Sequence, residues 1–166
     1  MPIPDFVVQL RSQVGTDLLW MPGVSAVVVQ EDGRLLLGRR SDNGLWSVIS
    51  GILEPGEQPA HAIVREILEE TGIEACVDAL VAVASQPEPI VYGNGDRAQY
   101  LDLMFLCRAV GGEAHVADDC AADAAHAAAA RAAAPSAAAA RKVALTVIQR
   151  ENATPGSRVT RARQLR

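Results

Sequence analysis

The chain has 166 residues, which is enough for one domain with a hydrophobic core. It carries 15 basic and 20 acidic side chains, and a net charge of −5 argues against a general nucleic-acid binder. No apolar run reaches the roughly 18–20 residues of a transmembrane helix, and the first five residues lack the basic start and apolar stretch of a signal peptide.

The N-terminal third of the chain predicts one short helix followed by a strand hairpin. Asp5 is the predicted cap of a helix over 5–14, and Gly15 is its predicted stop. Residues 24–30 and 34–39 predict two strands, because the intervening sequence EDG is typical of a tight hairpin turn.

The middle of the chain predicts further strands on both sides of one helix. Residues 45–50 predict a strand that leads into the segment 51–73, which contains the helix. Residues 77–84 predict a buried strand, and 90–92 and 98–110 predict a hairpin around the turn GNGD. This order predicts a mixed α and β domain.

The segment 51–73, GILEPGEQPAHAIVREILEETGI, predicts a helix between Pro59 and Gly72. Proline suits a first helical turn, and glycine is a common C-terminal stop. Five apolar residues fall on one arc, which we expect to face the core: Ala60, Ile63, Val64, Ile67 and Leu68. Three glutamates fall on the opposite arc: Glu66, Glu69 and Glu70.

The glutamates of this segment form an unusual concentration of like charge. Glu57 on the preceding loop adds a fourth carboxylate, and Arg65 is the only basic residue beside them. A solvated helix face normally mixes signs, since like charges at this spacing cost roughly 0.2–0.5 kcal/mol per pair. Carboxylate oxygens are the preferred ligands of Mg²⁺ and Mn²⁺. The cluster therefore predicts a divalent-metal site more strongly than an exposed surface.

The same segment resembles the Nudix box, G-x5-E-x7-R-E-U-x-E-E-x-G-U, where U is a bulky aliphatic residue. The match holds at all nine specified positions over 23 residues: Gly51, Glu57, Arg65, Glu66, Ile67, Glu69, Glu70, Gly72 and Ile73. The resemblance extends more loosely over residues 20–119. It implies an α/β (α+β) fold, an α/β/α sandwich with a mixed β-sheet. It also implies metal-dependent cleavage of the pyrophosphate bond in a nucleoside diphosphate linked to another moiety.

The resemblance also implies roles for individual residues. The metal ligands would be the Gly51 carbonyl and the carboxylates of Glu57, Glu66, Glu69 and Glu70. Arg65 would orient a glutamate by a charge-assisted fork, and with Glu66, Glu69 and Glu70 it would form the catalytic group. Glu66 is the expected general base, although the family also takes the base from outside the box. Protons would compete with the metal, so we expect activity to fall at acid pH.

Residues outside the box offer weaker substrate contacts. Arg39 and Arg40 end a predicted strand before the box and are candidates for binding phosphates, with surface positions as the alternative. Four aromatic residues are candidates for stacking a base, with core packing as the alternative: Trp20, Trp46, Tyr92 and Tyr100. Trp46 and Tyr92 are the preferred pair. Pro87, shortly after the box, resembles a proline of family members that cleave ADP-ribose.

Three cysteines occur in the chain: Cys76, Cys107 and Cys120. Their odd number and the absence of a C-x-x-C motif predict free thiols in a reducing cytoplasm. Cys76 and Cys107 lie in strand-like runs, and we expect both to be small apolar core residues.

The chain changes character after residue 119. Residues 1–119 hold 7 basic and 18 acidic side chains, net −11, whereas residues 120–166 hold 8 basic and 2 acidic, net +6. Residues 121–140 contain fifteen alanines, and no aromatic residue follows Phe105. We therefore predict a Nudix domain over 1–119 and an Ala/Arg-rich tail over 120–166.

Three interpretations of the tail stay open. The tail forms two Ala-rich helices separated at 135–136, or it is disordered. The third interpretation is that it results from GC-rich coding DNA translated in a shifted frame. An uninterrupted reading frame shared by close relatives would contradict the last interpretation. The further strand and C-terminal helix of the family are not recognisable in these residues.

These observations predict a cytoplasmic, single-domain pyrophosphohydrolase that uses Mg²⁺ or Mn²⁺. The expected substrate is a small nucleotide such as a nucleoside triphosphate, ADP-ribose or a similar conjugate. We expect no membrane association, little nucleic-acid binding, and a homodimer as one possible assembly. The alternative is a nucleotide-binding or regulatory protein with the same fold and little turnover, because the C-terminal part is atypical.

Overall fold

The computed structural model of the chain describes residues 3–40, 44–85, 87–114, 123–127 and 142, with the backbone alone described for 123–127. The helices within these residues are α1 (Asp5–Val14) and α2 (Pro59–Thr71). The strands are β1 (Leu18–Val29), β2 (Leu35–Arg39), β3 (Trp46–Ser47), β4 (Ile49–Ile52), β5 (Ile73–Ser85), β6 (Ile90–Val91), β7 (Arg97–Gly112) and β8 (Asp123–Ala127). Neither helix is long and apolar enough to cross a membrane.

The strands form one mixed sheet with β1 at its centre. β1 pairs in parallel with β7 over its whole length and antiparallel with β2 and β4. β5 and β6 pair antiparallel with β7, and β3 pairs antiparallel with β2. The two predicted hairpins are therefore confirmed.

The two helices lie on opposite faces of the sheet. Ile63 and Ile67 of α2 pack in one core cluster with Val24 of β1. Val7 of α1 packs in another cluster with Met21 of the same strand. Side chains alternate between the faces along a strand, so Met21 and Val24 point to opposite sides. This helix–sheet–helix arrangement confirms the predicted fold class.

The Ala-rich stretch contains a strand that the sequence did not predict. β8 pairs antiparallel with β2, and the register places Asp123 opposite Arg39 and Ala127 opposite Leu35. An Ala-rich helix over these residues was therefore wrong. Pairing with β2 provides partners for backbone groups of both strands, and this long-range gain outweighs the high local helix propensity of alanine. The expected helix break at 135–136 lies outside the described residues, and the domain boundary at 119 stays a prediction.

Two smaller expectations are also wrong. Pro4 occupies the N-cap of α1 and Asp5 lies in the first turn without a capping hydrogen bond, because the Pro4 carbonyl accepts the amides of Val7 and Val8. Cys76 is exposed, because alternation along β5 turns it away from the core, whereas Cys107 is buried as expected. Cys120 lies outside the described residues.

Candidate active site

The helix α2 has the predicted ends. Pro59 lies in its first turn, and Gly72 ends it in the left-handed conformation with φ of 69°. The Gly72 amide donates to the Leu68 carbonyl at 2.8 Å. These two signals fix which glutamates share the helix.

The face that α2 turns to the sheet differs from the predicted arc. Leu68 is 48% exposed, whereas Glu66 is only 1% exposed and lies among the buried residues of the helix. The reason is Gly51 on β4: a Cβ atom there would overlap the carboxyl carbon of Glu66. The missing side chain of Gly51 thus makes room for a glutamate on the core side.

Arg65 joins three of the four glutamates. Its Nε and one terminal nitrogen donate to the two oxygens of Glu57 at 2.9 and 3.0 Å, in a bidentate fork. The other terminal nitrogen donates to Oε1 of Glu66 and to Oε2 of Glu69, both at 3.0 Å. The fork from Arg65 holds the pKa of Glu57 below its usual value. We call Arg65 and the four glutamates, Glu57, Glu66, Glu69 and Glu70, the acidic cluster.

Glu66 is the most perturbed member of the acidic cluster. Burial, opposed by Arg65 and reinforced by Glu70 and Glu69, raises the pKa of Glu66 to about 7. Its Oε1 accepts the bond from Arg65, but its Oε2 is buried without a hydrogen-bond partner. A buried acceptor without a partner costs about 1–3 kcal/mol, so this atom is a candidate for binding a ligand.

Glu70 lies one turn further along α2 and is also perturbed. Burial, together with the charge of Glu69, raises the pKa of Glu70 to about 7, and the charge of Arg40 opposes this rise. Arg40 therefore lies close enough to act on the acidic cluster. Arg39 instead donates from Nε to the Gly44 carbonyl at 3.1 Å, which ties its side chain to the loop before β3.

The acidic cluster has the chemistry of a divalent-cation site. Among the residues that the structure describes, no three His, Cys, Asp or Glu side chains are gathered so as to hold a metal as they stand, because Arg65 engages Glu57 and Glu69. The unpartnered Oε2 of Glu66 and the all-oxygen donor set nevertheless fit Mg²⁺ or Mn²⁺.

The structure places the four aromatic candidates in three different environments. Trp46 packs against the buried residues Val27, Leu35 and Leu37, as in the core alternative. Trp20 is 58% exposed on β1. Tyr92 and Tyr100 lie together, with their hydroxyl oxygens 3.0 Å apart.

Sequence reasoning missed one polar pair in the sheet. The hydroxyl of the buried Ser25 donates to Oδ2 of Asp102 at 2.7 Å. Burial raises the pKa of Asp102, and the Ser25 hydrogen bond partly opposes the rise. The signal was available, because Asp102 is the only charged residue in the strand stretch LDLMFLC.

Comparisons with known proteins agree with the resemblance to the Nudix family. A sequence model described as the NUDIX domain matches residues 19–147. A "MutT-like protein" from Streptomyces ambofaciens is 41% identical over 99 residues, which cover 60% of this chain and 58% of the relative. An "ADP-ribose pyrophosphatase" from Methanocaldococcus jannaschii is 33% identical over 95 residues, covering 55% of this chain and 53% of the relative.

The chain thus spans little more than half the length of these curated relatives. Among solved structures, one described as an ADP-ribose pyrophosphatase from Streptococcus suis aligns with a TM-score of 0.50 and 20% identity. The alignment covers 83% of this chain and 96% of that one. At this identity the likeness concerns the fold alone.

Proposed function

The chain belongs to the Nudix family of hydrolases, and on that basis we propose that it is a metal-dependent pyrophosphohydrolase. Its substrate would be a nucleoside diphosphate linked to another moiety, such as a nucleoside triphosphate, ADP-ribose or a similar conjugate. The observation that carries this proposal is the buried, unpartnered Oε2 of Glu66. A buried carboxylate oxygen without a hydrogen-bond partner has no evident structural role, and it is typical of a ligand-binding site.

Each member of the acidic cluster has a task in this proposal. The carboxylates of Glu57, Glu66, Glu69 and Glu70, with the Gly51 carbonyl, would hold Mg²⁺ or Mn²⁺. When bound, the cation supplies electrostatic stabilisation of the charge that develops on a pyrophosphate. Arg65 keeps Glu57 ionised and oriented through its fork.

Glu66 is our proposed general base. Its buried Oε2, which has no hydrogen-bond partner, could accept a proton from an attacking water. Arg39 and Arg40 stay our candidates for binding a phosphate of the substrate; the charge of Arg40 reaches Glu70, and Nε of Arg39 donates to the Gly44 carbonyl. A cytoplasmic location and a homodimer stay predictions.

The test is phosphate release from a panel of nucleoside triphosphates, ADP-ribose and nucleotide sugars. Each reaction is run with Mg²⁺, with Mn²⁺ and with EDTA, and phosphatase then frees the phosphate of the products. We expect metal-dependent cleavage of one substrate class, and none by Glu66→Gln. Cleavage that persists in EDTA would contradict the proposal. A cooperatively folded sample that binds nucleotides and cleaves none would favour the regulatory alternative.

A further inference from the structure

A cavity of about 600 Å³ lies between α1 and the turn that joins β6 to β7. This volume falls within the range of small-molecule sites in proteins. Its walls include Val7 and Val8 of α1, Met21 of β1, Ile52 of β4, and the rings of Tyr92 and Tyr100. We call it the tyrosine cavity. One wall, α1, precedes the stretch that matches the NUDIX domain.

The tyrosine cavity adjoins the acidic cluster through β4. Ile52, which lines the cavity, directly follows Gly51. A Cβ atom built on Gly23 would lie 3.4 Å from Cδ1 of Tyr100 and 3.5 Å from the Gly51 carbonyl oxygen. The ring of Tyr100 and the proposed metal-binding carbonyl therefore flank the same point. A molecule with phosphates at that carbonyl would place its other end beside the ring.

The chemistry of the tyrosine cavity suits a neutral aromatic group. Arg11 is the only cation among the described residues of the lining. Its guanidinium donates to the carbonyls of Gly15, Asp17 and Arg97 and pairs with Asp96 at 3.5 Å. Asp96 offsets the charge of Arg11 and backbone carbonyls accept from its terminal nitrogens, which leaves it poorly placed to bind a phosphate, while its buried Nε has no hydrogen-bond partner. The apolar walls and two tyrosine rings are instead typical of sites that stack a planar ring.

The two tyrosine hydroxyls add a polar contact. Their mutual hydrogen bond at 3.0 Å uses one of the two phenolic protons, and the other remains available to donate. Burial and the hydrogen bond with Tyr92 raise the pKa of Tyr100, and a tyrosine hydroxyl is protonated at neutral pH in any case. A ring nitrogen or carbonyl oxygen of a base could accept this proton.

We propose that the tyrosine cavity binds the base of the nucleotide substrate, stacked against Tyr100 and Tyr92, while the phosphates reach the acidic cluster. This inference rests on the proposed function for the position of the phosphates. It predicts that affinity for a nucleotide depends on the base even when no metal is present.

The test measures binding without turnover. AMP, UMP and ribose 5-phosphate are titrated calorimetrically into the full chain in EDTA. We expect both nucleotides to bind at least ten-fold more tightly than ribose 5-phosphate. Tyr100→Ala and Tyr92→Ala should each weaken AMP binding about 5- to 150-fold, the range measured when a stacking aromatic is truncated. Tyr100→Phe should have a smaller effect, because the ring remains.

Leu80→Ala is the control, because Leu80 is an exposed apolar residue of β5 that does not line the cavity. It should leave AMP binding unchanged. Equal affinity for AMP and ribose 5-phosphate, no measurable nucleotide binding, or unchanged affinity in the folded tyrosine variants would each overturn the inference. If Tyr100→Ala fails to fold in a thermal melt, the more exposed Tyr92 decides through Tyr92→Ala.

The same variants separate this inference from the proposed function. If the protein binds nucleotides in a base-dependent way but cleaves none with Mg²⁺, the result would contradict the proposed function and support the cavity assignment. Metal-dependent cleavage with an unchanged KM in both tyrosine variants would keep the function and remove the assignment.

Discussion

The acidic cluster and the tyrosine cavity lie on opposite faces of one sheet and meet at β4. On the α2 side, four carboxylates surround one arginine, and Glu66 is buried with an unpartnered oxygen. On the α1 side, apolar walls and two tyrosines surround an arginine whose charge Asp96 already offsets. Gly51 belongs to the first region and its neighbour Ile52 to the second. Two adjacent residues of one strand thus separate a charged region from an apolar one.

Glu70→Gln should give the largest loss of kcat. It should leave nucleotide binding in the tyrosine cavity unchanged. Removing a group that stabilises transition-state charge commonly lowers kcat roughly 10²- to 10³-fold. The fold should be as stable or slightly more so, because a half-buried carboxylate with a raised pKa loses its desolvation and its repulsion from Glu69. Steady-state kinetics with Mg²⁺ and a urea titration measure both quantities.

Glu88→Gln is the control for this substitution, since Glu88 is exposed and distant in sequence from the box. It should change neither kcat nor stability. Full activity of Glu70→Gln would show that the metal site is assigned wrongly. Loss of AMP binding in EDTA by Glu70→Gln would show that the two regions are not separate.

Arg65→Lys tests whether kcat depends on the bidentate fork of Arg65 or only on its positive charge. Lysine keeps the positive charge but cannot donate two parallel bonds to Glu57. Mutation of a residue that orients metal ligands typically lowers metal affinity or activity 10- to 100-fold. We therefore expect kcat to fall by about that factor. Arg34→Lys, which changes an exposed pair with Asp32, is the matched control. Equal kcat for Arg65→Lys and the parent chain would exclude an orienting role.

Gly51→Ala tests the boundary between the two regions. The new methyl group would overlap Glu66, and overpacking of this kind costs about 1–3 kcal/mol in the free energy of unfolding. Gly23→Ala is the control, because its added Cβ would make only ordinary contacts, the nearest at 3.4 Å to Tyr100. Urea unfolding should show a clearly larger loss for Gly51→Ala, and equal losses would contradict the packing of Glu66 under β4.

Local signals predicted the ends of α2, whereas its orientation required a distant contact. Pro59 and Gly72 act within one helical turn of their own positions, so the sequence specified the helix correctly. The burial of Glu66 depends on the space left by Gly51, fifteen residues earlier and on a different element. Periodicity alone assigned this glutamate to the solvent side, because it weighs hydrophobicity and not the shape of the opposing strand.

The same distinction explains β8 and the tyrosine cavity. Residues Asp123–Ala127 have a local preference for helix, but their strand conformation depends on pairing with β2. The partnership of Tyr92 with Tyr100 follows from the hairpin of β6 and β7. The closure of the tyrosine cavity by α1 depends on contacts between residues more than eighty positions apart, such as Arg11 with the Arg97 carbonyl.

The smallest predicted effect is a pH dependence of stability in EDTA, confined to the acidic side. The pKa values of Glu66 and Glu70 rise from 4.5 to about 7 on folding. The folded state therefore binds more protons than the unfolded state between these values, and stability falls as pH rises through this window. Partial relaxation should reduce the nominal loss of about 1.4 kcal/mol per pKa unit to on the order of 1 kcal/mol per group. Thermal melts at pH 5 and pH 8 should show the lower Tm at pH 8, and a combined Glu66→Gln and Glu70→Gln variant should remove most of the difference. A Tm that rises with pH in the parent chain would mean that both carboxylates are already stabilised as anions by the fold, and the acidic cluster would then need no cation.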